Sequence, residues 1–311
     1  MIRALLSLVF LLACFSITSA VPQRAVLDFD GDNKTDYGVV RSVTGNLTWY
    51  LQQSAEGFRA QPWGRSGDSI VPGDYDGDRR WDVAIWRAGF YYILQSSNGA
   101  LNVIPFGQQG DDPIITQDFD GDGITDPAII RGDDENLIWY IQRSQLGFTA
   151  VRFGSSFSDI HLRGDYDGDG KADIAVYRGD MGTPSNTFFV LRSSDGSMQA
   201  QTFGDVNRDI ILPADFDGDG ATDYAVYRFT TGESGAWFWL NSSDGSFHAL
   251  TFGIGSDRPV PGDYDGDGKS DQAVRRVANG VFYVNRSTQG FTSLKFGESN
   301  DDAIAYYLQV R

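Results

Sequence analysis

Only one cysteine, Cys14, occurs in 311 residues, and it lies within the first twenty. The rest of the chain can form no internal disulfide, so an intrachain crosslink is excluded as the source of its stability. Histidine is almost as scarce: His161 and His248 stand in different repeats with no motif around either. No Ser-His-Asp arrangement, no H-E-x-x-H and no phosphate-cradling glycine loop is visible, which leaves no recognisable catalytic constellation. The expectation is a protein that is not an enzyme, without catalytic residues. Positive charge is also short, with 25 Lys and Arg against 42 Asp and Glu and a net charge of −17. That balance argues against nucleic acid or an anionic membrane as partner. Beyond residue 20 no apolar run is long enough to span a bilayer, and no 3.6-residue periodicity appears.

The first twenty residues, MIRALLSLVFLLACFSITSA, combine a positive start at Arg3, an apolar stretch from Ala4 to Ile17 and the small residues Thr18-Ser19-Ala20. This is the pattern of a secretory signal peptide. It predicts a secreted, extracellular or cell-surface protein. An alternative takes Leu11-Leu12-Ala13-Cys14 as a lipoprotein box, which would anchor the chain through Cys14. Loss of this segment removes Arg3 and leaves the remainder still more acidic.

What is abundant is one acidic nonapeptide. It occurs as DFDGDNKTD (28–36), DYDGDRRWD (74–82), DFDGDGITD (118–126), DYDGDGKAD (165–173), DFDGDGATD (215–223) and DYDGDGKSD (263–271). Successive copies start 46, 44, 47, 50 and 48 residues apart, so the chain is an array of units of propeller-blade size. Four aspartates in each copy account for 24 of the 42 acidic residues, so the acidity belongs to the motif.

Four short strands are legible in each unit. Strand A is the apolar run before the nonapeptide and strand B follows it. In strand B a small residue (Gly38, Ala84, Ala128, Ala175, Ala225, Ala273) precedes a β-branched one (Val39, Ile85, Ile129, Val176, Val226, Val274). Strand C carries paired aromatics and ends on a serine, and a turn glycine follows. Strand D ends on Trp63-Gly64 or on Phe-Gly at Phe106, Phe153, Phe203, Phe252 and Phe296. Four antiparallel strands repeated six times predict an all-β fold, a six-bladed β-propeller over residues 21–311. Its blades are expected near 25–64, 70–107, 113–154, 160–204, 210–253 and 258–297, with a closing segment at 298–311.

The nonapeptide reads Asp-x-Asp-Gly-Asp-x-x-x-Asp. Carboxylates at positions 1, 3, 5 and 9 of a tight loop supply the hard oxygens that calcium prefers. The predicted ligands are Asp28, Asp30, Asp32 and Asp36; Asp74, Asp76, Asp78 and Asp82; Asp118, Asp120, Asp122 and Asp126; Asp165, Asp167, Asp169 and Asp173; Asp215, Asp217, Asp219 and Asp223; and Asp263, Asp265, Asp267 and Asp271. The position-7 carbonyls of Lys34, Arg80, Ile124, Lys171, Ala221 and Lys269 would complete each shell. Up to six Ca2+ ions follow. An EF-hand is excluded because position 12 is a β-branched strand residue and not Glu. Position 6 is glycine in the last four copies but Asn33 and Arg79 in the first two, so those two sites are expected to be weaker.

Phe-Gly followed by Asp-x-Asp-Gly-Asp-Gly-x-x-Asp resembles the FG-GAP/VCBS repeat of integrin α-chain propellers and of many secreted bacterial proteins. The resemblance covers residues 25–297 and implies a propeller with calcium in the A–B loops. The Gly-Ala-Pro element of integrins is absent, so the resemblance speaks to fold and metal more than to ligand.

An arginine ends strand B in all six units (Arg41, Arg87, Arg131, Arg178, Arg228, Arg276), and an aspartate opens strand A in five (Asp68, Asp112, Asp159, Asp209, Asp257). A cross-strand ion pair is expected from each, in preference to a ring of arginines reading an anion. Arg41 has Pro22 where the others have aspartate, so Asp302 or Asp301 is expected to return from the C-terminal segment to meet it. The long B–C loops, 179–187 and the one starting at Phe229, lie opposite the metal loops, and Trp86, Tyr177, Tyr227, Trp237 and Trp239 are candidates for sugar stacking or for packing. The expected function is a calcium-stabilised binding or adhesion module for an extracellular glycan or protein. The alternatives are a structural surface scaffold and an enzyme acting on polysaccharide.

Overall fold

Strand C residues alternate between buried and partly exposed, while strand B carries an unbroken run of three or four buried residues in every unit. Alternation marks a strand with one covered face, and a continuous buried run marks one covered on both. Stacked blades produce this gradient, with strand B inside and the alternating, more exposed strand D at the rim. The computed structural model describes residues 24–179, 186–229 and 234–308. The expected leader with Cys14, Pro22 and the tips of the two long B–C loops lie outside the described residues.

Six small antiparallel sheets follow one another along the chain. Blade 1 contains β1 (Tyr37–Val43), β2 (Asn46–Gln53) and β3 (Gly57–Arg65). Blade 2 contains β4 (Ser69–Ile70), β5 (Val83–Arg87), β6 (Phe90–Leu94) and β7 (Leu101–Pro105). Blade 3 has β8 (Ala128–Asp133), β9 (Asn136–Arg143) and β10 (Gly147–Ser155), with an isolated bridge between Asp112 and Ile130 in place of a strand A. Blade 4 is β11 (Asp159–Leu162), β12 (Ile174–Arg178), β13 (Thr187–Leu191) and β14 (Met198–Thr202). Blade 5 is β15 (Asp209–Ile211), β16 (Tyr224–Arg228), β17 (Ser234–Leu240) and β18 (Phe247–Ile254). Blade 6 is β19 (Arg258–Pro259), β20 (Gln272–Arg276), β21 (Val281–Arg286) and β22 (Gly290–Lys295). The fold is a six-bladed β-propeller, as the repeat predicts.

Blade 1 departs from its expected bounds. Residues 25–28 are not a strand, and Leu27 has a positive φ of 59°. Its sheet is instead completed by β23 (Asp302–Ala303), which pairs with Val39 and Val40 of β1. A short helix, α1 (Ile304–Tyr307), follows, and Ala303, Ile304 and Ala305 join a core cluster shared by blades 1, 2 and 6. The small column reads glycine here for the same reason: a Cβ on Gly38 would stand 2.7 Å from the Ile304 Cδ1.

Two sequence columns meet between blades. The glycine closing each strand D has a positive φ (98, 103, 97, 83, 97 and 83° at Gly64, Gly107, Gly154, Gly204, Gly253 and Gly297). A Cβ there would press on the β-branched residue of the next blade, including Val39 of blade 1 against Gly297 of blade 6. The carbonyl just before that glycine is capped by buried donors: the indoles of Trp49, Trp86, Trp139 and Trp237 and the hydroxyl of Tyr177. Trp86, Tyr177, Tyr227 and Trp237 are therefore core residues, which removes them as sugar-stacking platforms.

Candidate metal centres

Each A–B loop is wound around its own first aspartate. The carboxylate of position 1 accepts the N–H of position 4 at 2.6–2.7 Å and that of position 6 at 2.7–2.9 Å in all six copies. Position 6 must then take a positive φ. Glycine does so freely, while Asn33 and Arg79 stand there at 63° and 72°. Position 4 is glycine for space as well: its missing Cβ would meet the position-7 side chain of the next loop, as Gly31 does Arg80 and Gly266 does Lys34.

Position 9 is buried in every copy, and one oxygen accepts the position-2 amide at 2.7–2.9 Å. Its other oxygen accepts the amide of the serine ending strand C (Ser54, Ser96, Ser144, Ser193, Ser242, Ser287) at 2.6–2.8 Å. The same serine hydroxyl donates to the position-5 aspartate. The serine column thus docks the C–D turn onto the acidic loop, a role its regular recurrence signalled without revealing.

The predicted carboxylates do converge. One oxygen from each of Asp28, Asp30 and Asp32 lies within 4.8 Å of the others, as in Asp74–Asp76–Asp78 and Asp118–Asp120–Asp122. In loops 4 and 5 the groups are Asp165–Asp167–Asp173 and Asp215–Asp217–Asp223, with position 9 in place of position 5. Asp30 Oδ1 and Asp265 Oδ1 are buried and have no hydrogen-bond partner, which costs free energy unless a cation takes them. Burial, reinforced by neighbouring carboxylates, pushes Asp36, Asp126, Asp165, Asp223 and Asp271 up to about 7, and Asp82, Asp173 and Asp215 to about 6. Hard oxygens, orphaned and crowded, fit a divalent cation of calcium type.

The loops also form a ring. The position-8 amide of each donates to the position-1 carbonyl of the preceding loop: Trp81 to Asp28, Thr125 to Asp74, Ala172 to Asp118, Thr222 to Asp165, Ser270 to Asp215 and Thr35 to Asp263, all at 2.6–2.7 Å. The last of these joins blade 1 to blade 6.

At the other end of strand B, each arginine clamps an aspartate through two bonds of 2.5–2.9 Å. The guanidinium carbon lies 4.6–5.3 Å from the centre of a strand C ring in all six blades. The clamped aspartate also accepts, at 2.6–2.9 Å, the amide that follows the strand D glycine of the previous blade. One partner needs correction, in blade 3, and in blade 1 the structure chooses between the two expected aspartates. In blade 3 Asp111, not Asp112, holds Arg131, because Asp112 pairs with Ile130 and shifts the register by one residue. In blade 1 Asp301 holds Arg41, while Asp302 pairs with Arg258 at 2.6 Å. Arg275, fully buried, donates to the carbonyls of Glu298 and Asp301 and locks the same segment.

Residues 215–274 match the FG-GAP-like repeat family, and that span includes the whole of the fifth and sixth acidic loops. The T-cell immunomodulatory protein of Rattus norvegicus is 29% identical over 145 residues, covering 36% of this chain and 23% of the relative. The chain thus matches less than a quarter of that relative's length. AofleA from Arthrobotrys oligospora superposes with a TM-score of 0.50 at 11% identity, over 92% of this chain and 88% of the other. A streptogramin B lyase structure gives 0.49 at 9% identity, over 88% and 86%. Identities this low speak to the fold alone. No helix among the described residues is long and apolar enough to cross a membrane.

Proposed function

We propose that this chain, built from FG-GAP-like repeats, is a secreted or surface-exposed, calcium-stabilised propeller that serves as a non-catalytic binding module. What carries the reading is the set of six wired acidic loops, with Asp30 Oδ1 and Asp265 Oδ1 buried and unpartnered. Calcium would be held by the carboxylates at positions 1, 3 and 5, with position 9 and the position-7 carbonyl closing the shell, and would neutralise charge that, among the described residues, only Arg24, Lys171 and Arg192 offset, at Asp74, Asp169 and Asp167. The ion's task is structural, since each loop couples strand A, strand B and the C–D turn of one blade to its neighbour. The repeat match and the curated relative support an extracellular protein-interaction role.

The surroundings of the histidines support a non-catalytic reading. His161 meets Asp112 at 3.3 Å. His248 meets the Ser246 hydroxyl at 3.0 Å, yet Asp244 accepts from the Ser246 amide. Neither arrangement is a nucleophile, base and orienter in line. A pull-down with the intact chain beside a glycan array tests the binding reading. Specific, calcium-dependent capture of a protein or glycan is the expected result, and loss of all capture would leave the structural scaffold as the better account.

A further inference from the structure

Two residues break the repeat at positions that face one cavity. Arg79 takes the loop position that glycine fills in four copies and holds a φ of 72° to do so. Arg163 precedes loop 4 where other units carry Val26, Pro72, Thr116, Pro213 and Pro261. Both line a cavity of about 340 Å3 inside the ring of loops, with Arg24, Lys171 and Trp81. Arg24 reaches Asp74 at 3.4 Å, but among the described residues neither Arg79 nor Arg163 has a carboxylate within ion-pair distance.

Five aspartates line the cavity too, Asp28, Asp74, Asp118, Asp122 and Asp165, and the inference rests on the calcium proposed for their loops to offset their charge. Asp28, Asp74, Asp118 and Asp165 each turn both oxygens onto amides of their own loops. The contrast with the second cavity, about 370 Å3 at the clamp end, is direct. There Arg41 already holds Asp301, and Asp68 is held by Arg87. Strain retained at a non-glycine position, and an uncompensated cation beside it, are features that function maintains.

We propose that the cavity within the loop ring is a binding site for a small oxyanion, carboxylate or sulfate-like, recognised by Arg163 and Arg79. Guanidinium groups pair with such planar or tetrahedral anions through parallel N–H bonds. The volume admits an acidic monosaccharide as well as a free inorganic anion.

Isothermal titration of the intact chain in millimolar calcium, with sodium sulfate, sodium glucuronate and neutral glucose, tests this. Sulfate or glucuronate should bind one per chain and glucose should not. Binding of both anions assigns a general oxyanion site, and glucuronate alone assigns a sugar-acid site. Arg163→Gln and Arg79→Gly should each weaken binding by about tenfold or more. Arg79→Gly should at the same time raise the melting temperature of the anion-free protein, because it relieves the left-handed strain. A variant that melts higher and still binds the anion as tightly as the wild type overturns the assignment. So does the absence of heat with either anion up to about ten times the millimolar range that marks weak sites.

Discussion

The two ends of strand B hold the same kind of residue in opposite circumstances. At the clamp end, six buried aspartates meet six arginines one to one, and each arginine lies over an aromatic ring. Asp159 and Asp301 are buried there, yet their arginines hold them below the usual carboxylate range. At the loop end, 24 aspartates crowd into six turns. Among the described residues only Asp74, Asp167 and Asp169 of these meet a basic side chain. Burial raises the carboxylates at positions 1 and 9 of every loop above their ordinary range. One end carries its own counter-charge, and on the proposed reading the other takes it from a bound cation.

The largest effect should come from opening the clamp end where the ring closes. Removing 302–311 deletes Ile304 from the core, bares the edge of β1 and takes the carbonyl and carboxylate partners from Arg275 and Arg41 if the segment at 298–301 then frays. At about 1.5–3 kcal/mol for a buried isoleucine and about 2–3 kcal/mol for each stranded cation, Tm should fall by about 10 °C or more. A truncated chain that melts like the intact one contradicts noncovalent closure through this segment. Breaking a single clamp is the next step down. Asp209→Ala removes a fully buried carboxylate and strands Arg228, which is partly solvated, so about 2 kcal/mol is expected in denaturant unfolding. Restoring wild-type stability with the double change Asp209→Ala/Arg228→Ala would show that the loss lies in the pair.

The pH response separates the two ends. In the metal-free protein the six position-9 aspartates, with Asp165 and Asp215, titrate near 6–7, against about 3.9 when unfolded. The native state therefore holds more protons between these values. Its stability from these groups is full below about pH 4 and is lost as pH rises through 6 to 7. Chelated protein should melt higher at pH 5 than at pH 7.5. With calcium bound the order reverses, because protons then compete with the metal. Equal melting at both pH values after chelation would remove the loop carboxylates as the titrating groups.

The smallest effect compares loops. Asp169→Ala should cost about 1 kcal/mol more in calcium than Asp78→Ala, because loop 2 already carries the strain and positive charge of Arg79. Equal losses would mean that position 6 does not grade the sites.

Much of this was legible because the repeat puts each role in a column. Blade number, the loop positions, the strand order and the Arg–Asp pairing all follow from residues recurring at fixed offsets. What resisted was local. The register shift that gives Arg131 to Asp111 comes from the turn at 113–116, and two adjacent aspartates read alike without it. The failure of 25–28 to form a strand depends on Leu27 and on the C-terminal segment filling that place. The serine column was visible, but its two bonds to positions 9 and 5 require the C–D turn to fold back over the loop. Chain recurrence marks such positions, and only three-dimensional placement says what they hold.

The most direct test is calorimetric melting of the intact chain at pH 7.5 in millimolar calcium and again after EDTA. The loop end lacks internal counter-charge, so chelation should lower Tm by about 10 °C or more, and readdition of calcium should restore it. An unchanged Tm would mean that the six acidic loops stand without a cation, and would contradict the account at its centre.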